Sequence, residues 1–360
     1  MSLPLPCLGM GHTIRRILWL LRETPTFDGA YAERGSAEMT RTARGKVLLA
    51  AATVAMTMVV LSLVPVRAAE IKEQRFSVFC EASHTAMVDP IVAPGGASTH
   101  LHEFFGNRST AADSTYATML GQPTSCDLRQ ETAAYWAPAV RTASGARVDV
   151  RSDLAYYLAV GSTKGADITP YPRDLRIITD RFEWLCIDAQ AFASPPRCDG
   201  SAGHTPSPNG IGLRYLFPQC WVGDAAGFTS AERTRLGFVF NSAGQVIDSR
   251  PAPSTGLLPH RLHMAFQTSS GCPAKYPVVV PRLGVNVRFG TDDGQDATRW
   301  TLDTGVAPHA DFWNTWDQQA LVTLIDRCID RTEGNWTRYT YRQWRDRCNL
   351  VTNADFAIGD

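Results

Sequence analysis

The chain has 360 residues, 44% hydrophobic and 19% charged, with 35 basic and 35 acidic side chains. That length holds one large domain or two modest ones, and a net charge of zero gives no footing for nucleic acid or an anionic membrane surface. Eight of the basic and four of the acidic residues precede residue 70, so the remainder is faintly acidic, which weighs further against binding a phosphate backbone.

Residues 1–38 combine one short apolar run, RRILWLL, with mixed polar sequence, and are read as a mis-assigned extension ahead of the true start at Met39. Residues 39–68 have the layout of a secretory signal peptide. Arg41, Arg44 and Lys46 form a basic n-region, Val47–Val64 an apolar run, and Val66-Arg67-Ala68 a small-residue cleavage site. The competing reading is an uncleaved anchor, because the run is about long enough to span a bilayer. After cleavage no membrane contact is expected, and the protein is placed outside the cytoplasm, secreted or in the cell envelope.

Beyond the signal there are eight cysteines: Cys80, Cys126, Cys186, Cys198, Cys220, Cys272, Cys328 and Cys348. An even count in an exported chain implies disulfides. Proximity in sequence favours Cys80–Cys126, Cys186–Cys198, Cys220–Cys272 and Cys328–Cys348. No CxxC pair occurs, so a thiolate zinc knuckle is not expected.

In chain order, Phe76, Val78 and Cys80 alternate as a strand. Residues 107–130 read as a loop with one helical turn near Tyr116–Leu120. Thr132–Val140 carries Tyr135, Trp136 and Pro138, and short strands follow around Arg147–Val150, Ala155–Val160, Leu175–Ile178, Phe182–Ile187 and Leu213–Trp221. Asn241-Ser242-Ala243-Gly244 reads as a hairpin turn between Phe238–Phe240 and Gln245–Ile247. Leu262–Gln267, Tyr276–Pro281, Asn286–Phe289 and Trp300–Leu302 continue in strand character. Only the end reads as helical. Across Ala310–Arg331, Phe312, Trp316, Ala320, Leu324 and Cys328 recur every four residues, with Asp311 as N-cap. Short strands together with 28 glycines and 22 prolines predict a mainly β, sandwich-like fold with long ordered loops and a C-terminal helix. It is read as one disulfide-stapled domain over residues 70–331, with a tail at 332–360 tied back by a disulfide.

The chemistry-bearing residues gather in three histidine motifs: His100-Leu101-His102, His260-Arg261-Leu262-His263 and His309-Ala310-Asp311. If residues 98–104 are extended, both rings of the first motif share a face. His309 and Asp311 do the same in an extended segment. Three such motifs on separate segments suit a divalent transition metal, for which His100, His102, His260, His263 and His309 are the candidate ligands. A metal-free alternative assigns acid and base roles among His100, His102, His263, His309, Asp311 and Asp89. The third reading is structural, with each ring bonded to loop backbone, and Asp89 before Pro90 starting a turn. Asp180 and Glu183 are more simply surface ion pairs than a catalytic carboxylate pair. Tyr135, Trp136 and Trp221 are the candidates for stacking on sugar rings, against core packing as the simpler role. No GxSxG, phosphate loop or dinucleotide fingerprint occurs.

The order of motifs carries a resemblance. FSVFC (76–80), DPIVAPGGASTHLHEFFG (89–106), YWAP (135–138), YPRDLRIITD (171–180), WLC (184–186), LFPQCW (216–221), HRLHMAF (260–266), CPAKYPVVVP (272–281) and HADFWNTWD (309–317) resemble, in sequence order, the DUF1996 family of exported fungal and bacterial proteins. The chain departs from the family pattern where Val222-Gly223 precedes Asp224 and where Leu262 replaces a serine. The resemblance implies an exported, disulfide-bonded, β-rich domain and supplies no reaction. The frequent pairing of such domains with carbohydrate-binding modules points towards polysaccharide. Two functions follow: a hydrolase acting on cell-wall or environmental polysaccharide through a His/Asp cluster, or a non-catalytic carbohydrate- or wall-binding protein. A purely structural envelope protein is the third.

Overall fold

The computed structural model describes residues 74–161, 168–201, 204–207, 209–290, 296–303, 306–329, 348 and 350–353. The extension, the signal peptide and most of the tail after residue 331 lie outside the described residues. The strands are β1 (Arg75–Ala86), β2 (His102–Gly106), β3 (Ala134–Pro138), β4 (Val140–Arg141), β5 (Val150–Leu158), β6 (Arg176–Thr179), β7 (Phe182–Cys186), β8 (Gln190–Phe192) and β9 (Ile211–Leu216). They continue with β10 (Cys220–Trp221), β11 (Phe238–Phe240), β12 (Val246–Ser249), β13 (Met264–Ala265), β14 (Val278–Val279), β15 (Arg282–Phe289), β16 (Thr301–Leu302) and β17 (Ala310–Trp313).

Ten of them form one antiparallel sheet in the order β6-β17-β3-β2-β1-β5-β15-β9-β7-β8. The sheet bends along β1, which serves two partners: Arg75–Glu81 pair with β5, and Ala82–Ala86 pair with β2 past an irregularity at Ala82/His84. Such a bulge increases twist and turns the strand. The far ends of the sheet also meet. β6 and β7 are separated only by Asp180-Arg181, yet they belong to opposite ends of the strand order. At this corner the Leu216 N–H donates to the Arg181 carbonyl (2.9 Å), and the Thr179 hydroxyl donates to the Leu216 carbonyl (2.7 Å). The result is one large curled sheet whose two halves face each other across the core, the sandwich-like arrangement in which strands switch sheets at corners.

The period of two sorts the side chains. On β15, Leu283, Val285, Val287 and Phe289 point into the core, while Arg282, Asn286 and Arg288 alternate outward. Phe105, Tyr135 and Phe312 join the same interior, where Phe76 stacks on Tyr157 with centroids 4.7 Å apart. Burying each such ring stabilises the fold by roughly 2–3 kcal/mol. A smaller cluster of Ile91, Phe104, Met119, Trp136 and Trp313 covers the opposite face of β2, β3 and β17.

All four disulfides follow sequence order: Cys80–Cys126, Cys186–Cys198, Cys220–Cys272 and Cys328–Cys348. Two expectations about helices are corrected. The terminal helix does not begin near Ala310, because Ala310–Trp313 is β17, pairing with β3 and β6. The helix runs Gln318–Leu324, capped by the Asp317 carboxylate on the Ala320 N–H (3.0 Å), and continues as a π-turn over Ile325–Ile329. Sheet pairing of the aromatic Phe312 and Trp313 outweighs their fit to a helix stripe. A second helix, Ser230–Leu236, was not expected. It carries a capping box, Thr229 with Glu232, and ends on Gly237 at φ 60°. Those signals were present, but the segment is exposed and has no apolar stripe.

Gly106 ends β2 at φ 72°, and a Cβ there would lie 2.1 Å from the Ala133 carbonyl oxygen. Gly106→Ala is therefore expected to destabilise the protein by about 2 kcal/mol or more, read as a lower urea midpoint. An unchanged midpoint would refute this account of the β2–β3 junction.

Candidate functional site

The site begins with register. β2, β3 and β17 lie side by side, with Phe104 opposite Trp136 and Trp136 opposite Asp311. Two residues along, His102 lies opposite Pro138, and continuing the same register brings His309 to the other side of Pro138. His102 and His309 thus stand two strands apart, ~10 Å between backbones, and lean towards each other over a short proline ring. Asp311 shares their face. His100 arrives differently, in a bend before β2 rather than on a strand. The expectation of an extended segment from residue 98 is corrected accordingly. The bend is held by the Leu101 N–H donating to the Asp303 carboxylate (2.7 Å) and the Ser98 N–H donating to the Met87 carbonyl (2.8 Å). Burial opposes the Asp303 charge, but Arg141 and the Leu101 N–H hold its carboxyl below the usual range.

The three imidazoles converge through one kind of atom. His100 Nε2 lies 2.9 Å from His102 Nε2 and 3.3 Å from His309 Nε2, and the latter two are 3.3 Å apart. Each opposite nitrogen has its own partner. His102 Nδ1 donates to the Val88 carbonyl (2.9 Å) and His309 Nδ1 to the Ala307 carbonyl (2.9 Å). His100 Nδ1 meets the Thr99 hydroxyl at 3.2 Å. Carbonyls only accept, so the neutral forms of His102 and His309 carry their proton on Nδ1 and turn the Nε2 lone pair inward. A single Nε2 proton on His100 does not satisfy three mutual contacts, whereas one cation does. Around an ion with 2.0–2.1 Å bonds to nitrogen, ligand nitrogens stand about 2.9 Å apart at a right angle and about 3.3 Å apart at the tetrahedral angle. Backbone carbonyls that hold the far nitrogen are the usual outer support of metal-binding histidines.

The carboxylates complete the picture. One ligand atom each from Asp89, His102, His309 and Asp311 lie within 4.8 Å of one another, as do those of His100, His102 and His309. Asp311 Oδ2 is 3.8 Å from His309 Nε2, and both Asp311 oxygens are buried without a hydrogen-bond partner. Burial, with Asp89 adding like charge, pushes the Asp311 carboxyl well above its ordinary range. An orphaned carboxyl beside inward lone pairs is what a cation would satisfy. Asp89 also performs the turn role expected of Asp before Pro, accepting from the Ile91 N–H (3.1 Å) and Val92 N–H (3.0 Å). His102 is fully buried, and burial followed by the neighbouring rings lowers it to about 3, so it stays neutral and available as a ligand.

The second histidine motif does not join this cluster among the described residues. His260 sits at φ 62°, and its Nδ1 bonds Asp248 (2.9 Å), while Arg250 Nε donates to the same carboxylate (2.7 Å). His263 Nδ1 meets the Ser249 hydroxyl (3.1 Å), and its Nε2 is buried without a partner. Spacing alone misassigned these two, because the motif turns against β12 instead of extending along the sheet. Tyr135, Trp136 and Trp221 are likewise corrected as stacking platforms. All three are buried, and Trp221 donates through Nε1 to the Val246 carbonyl (2.8 Å). Asp180 and Glu183 are ion-paired with Arg261 (2.7 Å) and Arg214 (3.3 Å). Asp303 and Thr99 were not among the sequence candidates. Asp303 is distant in sequence from the bend it holds, and no local pattern marks it.

This is a β-rich, disulfide-bonded domain in which two overlapping groups, His100 with His102 and His309, and Asp89 and Asp311 with His102 and His309, gather where β2, β3 and β17 run side by side. The chain belongs to the family described as a domain of unknown function (DUF1996), whose model matches residues 89–316, from the turn before His100 to just past Asp311. No curated protein and no solved structure matches it. Four disulfides fit an oxidising compartment. No helix among the described residues is long and apolar enough to cross a membrane.

His263 is fully buried, and burial, opposed by Asp248, brings it down to about 4. Between pH 6.5 and 4 the unfolded chain takes up a proton there that the folded chain refuses, so its contribution to stability is lost as pH falls. The stability advantage of wild type over His263→Gln should therefore shrink across that window by on the order of 3 kcal/mol, measured by urea unfolding. A constant or growing advantage would refute it.

Proposed function

We propose that the protein is an exported, metal-dependent hydrolase of polysaccharide, acting at His100, His102, His309 and the adjoining carboxylates. The carrying observation is the inward convergence of three Nε2 atoms, two of them fixed as lone pairs by carbonyls at Nδ1. A divalent transition metal held there supplies Lewis acidity and lowers the pKa of water. That chemistry suits an acyl bond, such as an ester or amide substituent on a glycan, whose carbonyl it polarises. Glycosidic cleavage instead uses two carboxyl groups that flank and touch the sugar. Asp311 does not serve that way, because its oxygens are sealed from solvent. It acts from behind, as a ligand or a counter-charge.

Access comes through His309, whose side chain is 17% exposed. Val88, Ala307 and Thr99 orient the rings, and Asp303 keeps the bend closed around them. The export part of the reading rests on the signal-like segment and the disulfides, and the polysaccharide part on the pairing of such domains with carbohydrate-binding modules that the resemblance implies. Non-catalytic carbohydrate binding is less well supported, since the aromatic residues suggested for it are buried.

Protein purified without chelators or a metal-affinity tag should carry about one divalent transition metal per chain by elemental analysis. It should release acyl groups from acylated glycans. His102→Ala and His309→Ala should each lose the metal and lower turnover by at least ~100-fold. Wild-type protein that binds no metal when supplied with it, or that turns over equally in both variants, would overturn the proposal.

A further inference from the structure

A second candidate site lies on the other half of the sheet. The outward residues of β1, β5, β15 and β9 and the segment 185–191 enclose a groove of about 480 Å³, within the range of small-ligand sites. Its floor is opened by Gly284, where a Cβ would make only ordinary contacts, with Leu216 at 3.7 Å and with Tyr156 and the Tyr215 carbonyl at 3.9 Å. Register sets the walls: Arg75, Leu158 and Arg282 form one row, and Asn286 and Arg214 are paired in another.

The groove holds unspent hydrogen-bonding capacity of two kinds. Arg282 Nε and Arg214 Nε are buried donors without partners. Among the described residues Arg282 has no carboxylate within ion-pair distance, whereas Arg214 reaches Glu183 at 3.3 Å. Burial, then the charges of Arg181 and Arg214, press the Arg282 guanidinium below its usual range. An anion would relieve both effects. The one acidic residue on the lining, Asp188, accepts from Asn209 Nδ2 (2.6 Å). The second kind is an acceptor: Asn286 Oδ1 is buried and unpartnered, while its Nδ2 is spent on the Tyr156 hydroxyl at 3.3 Å. Guanidinium forks call for a carboxylate, and a lone amide oxygen calls for a hydroxyl or N–H. A ligand that offers both beside an aromatic ring is an acidic sugar.

We propose that this groove binds a carboxylate-bearing saccharide, with Arg282 and Arg214 on the carboxylate and Asn286 and Tyr156 on the ring. It deepens the polysaccharide reading by naming an acidic glycan, but it uses none of the histidine-cluster residues and does not depend on a metal.

The test is calorimetric titration of the full chain with short oligouronates, with neutral oligosaccharides of equal length, with sulfated oligosaccharides and with oligoaspartate. Oligouronates should bind, more weakly at high salt, and neutral sugars at least 10-fold more weakly. Arg282→Gln and Arg214→Gln should each cost at least 10-fold. Asn286→Asp, which sets a second carboxylate against the ligand, should weaken binding too, with melting temperature and metal content unchanged. Arg282→Lys, which keeps charge but loses the fork, should fall between wild type and Arg282→Gln. Neutral sugars, sulfated sugars or oligoaspartate binding as tightly as oligouronates would overturn the assignment. So would affinity for oligouronates that is unchanged in folded Arg214→Gln and Asn286→Asp. Loss of acyl release with retained oligouronate binding would instead count against the metal-centre proposal alone.

Discussion

Tyr135 and Tyr157 bond hydroxyl to hydroxyl inside the curled sheet, and the rest of the architecture depends on that contact. One residue belongs to β3 and the other to β5, which β2 and β1 separate in the strand order. The Tyr157 hydroxyl also donates to Glu131 (3.1 Å) and accepts from Trp316 Nε1 (2.8 Å). Glu131 is fully buried, and burial pushes its carboxyl well above the ordinary range in spite of the hydrogen bonds it accepts. A polar network this deep is stabilising only when its members are satisfied together, so it specifies one relative placement of the two halves of the sheet. It also ties Trp316, just before the terminal helix, to β5 and, through Tyr135, to β3.

From that placement the electrostatics of the cluster follow. β3 contributes no ligand; it contributes spacing. Pro138 sits between His102 and His309 and leaves room above its ring for two imidazoles to meet. The bend before β2 brings His100 over the same point, held from outside by Asp303 and Arg141. The cluster combines the buried neutral ring of His102 with a buried carboxyl that has no partner. Such a set is costly to leave uncompensated and is typical of places where chemistry is done.

Parts of this were legible in the residues. His309 and Asp311 stand two apart in an extended segment, and His100 and His102 two apart in a Gly-rich one, and all four meet. The disulfides join cysteines in order along the chain. Other inferences failed for a common reason: a local pattern was compatible with two structures. Phe312 and Trp316 fit a helix stripe, but β3 and β6 offered Ala310–Trp313 pairing on both sides. His260 and His263 have a plausible ligand spacing, yet the left-handed turn at His260 directs them to Asp248 and Ser249. Trp136 and Trp221 are residues that either stack on a sugar or pack in a core, and each is enclosed by strands from elsewhere in the chain.

What the sequence by itself determined is the inventory and its local geometry: a β-rich chain, paired cysteines, titratable residues at spacings of two, and the motif order of its family. These depend on interactions between residues close along the chain, or on counting. Tertiary structure alone decided which motifs share a site. His102 and His309 meet only because β3 lies between β2 and β17 in one register, and a slip of one residue would turn either ring to the other face. The groove on the opposite half of the sheet exists only because β5, β15 and β9 align Arg282, Gly284 and Arg214 on one surface. Long-range register is set by the closure of the whole sheet and the packing of its core, and no short stretch of sequence contains it.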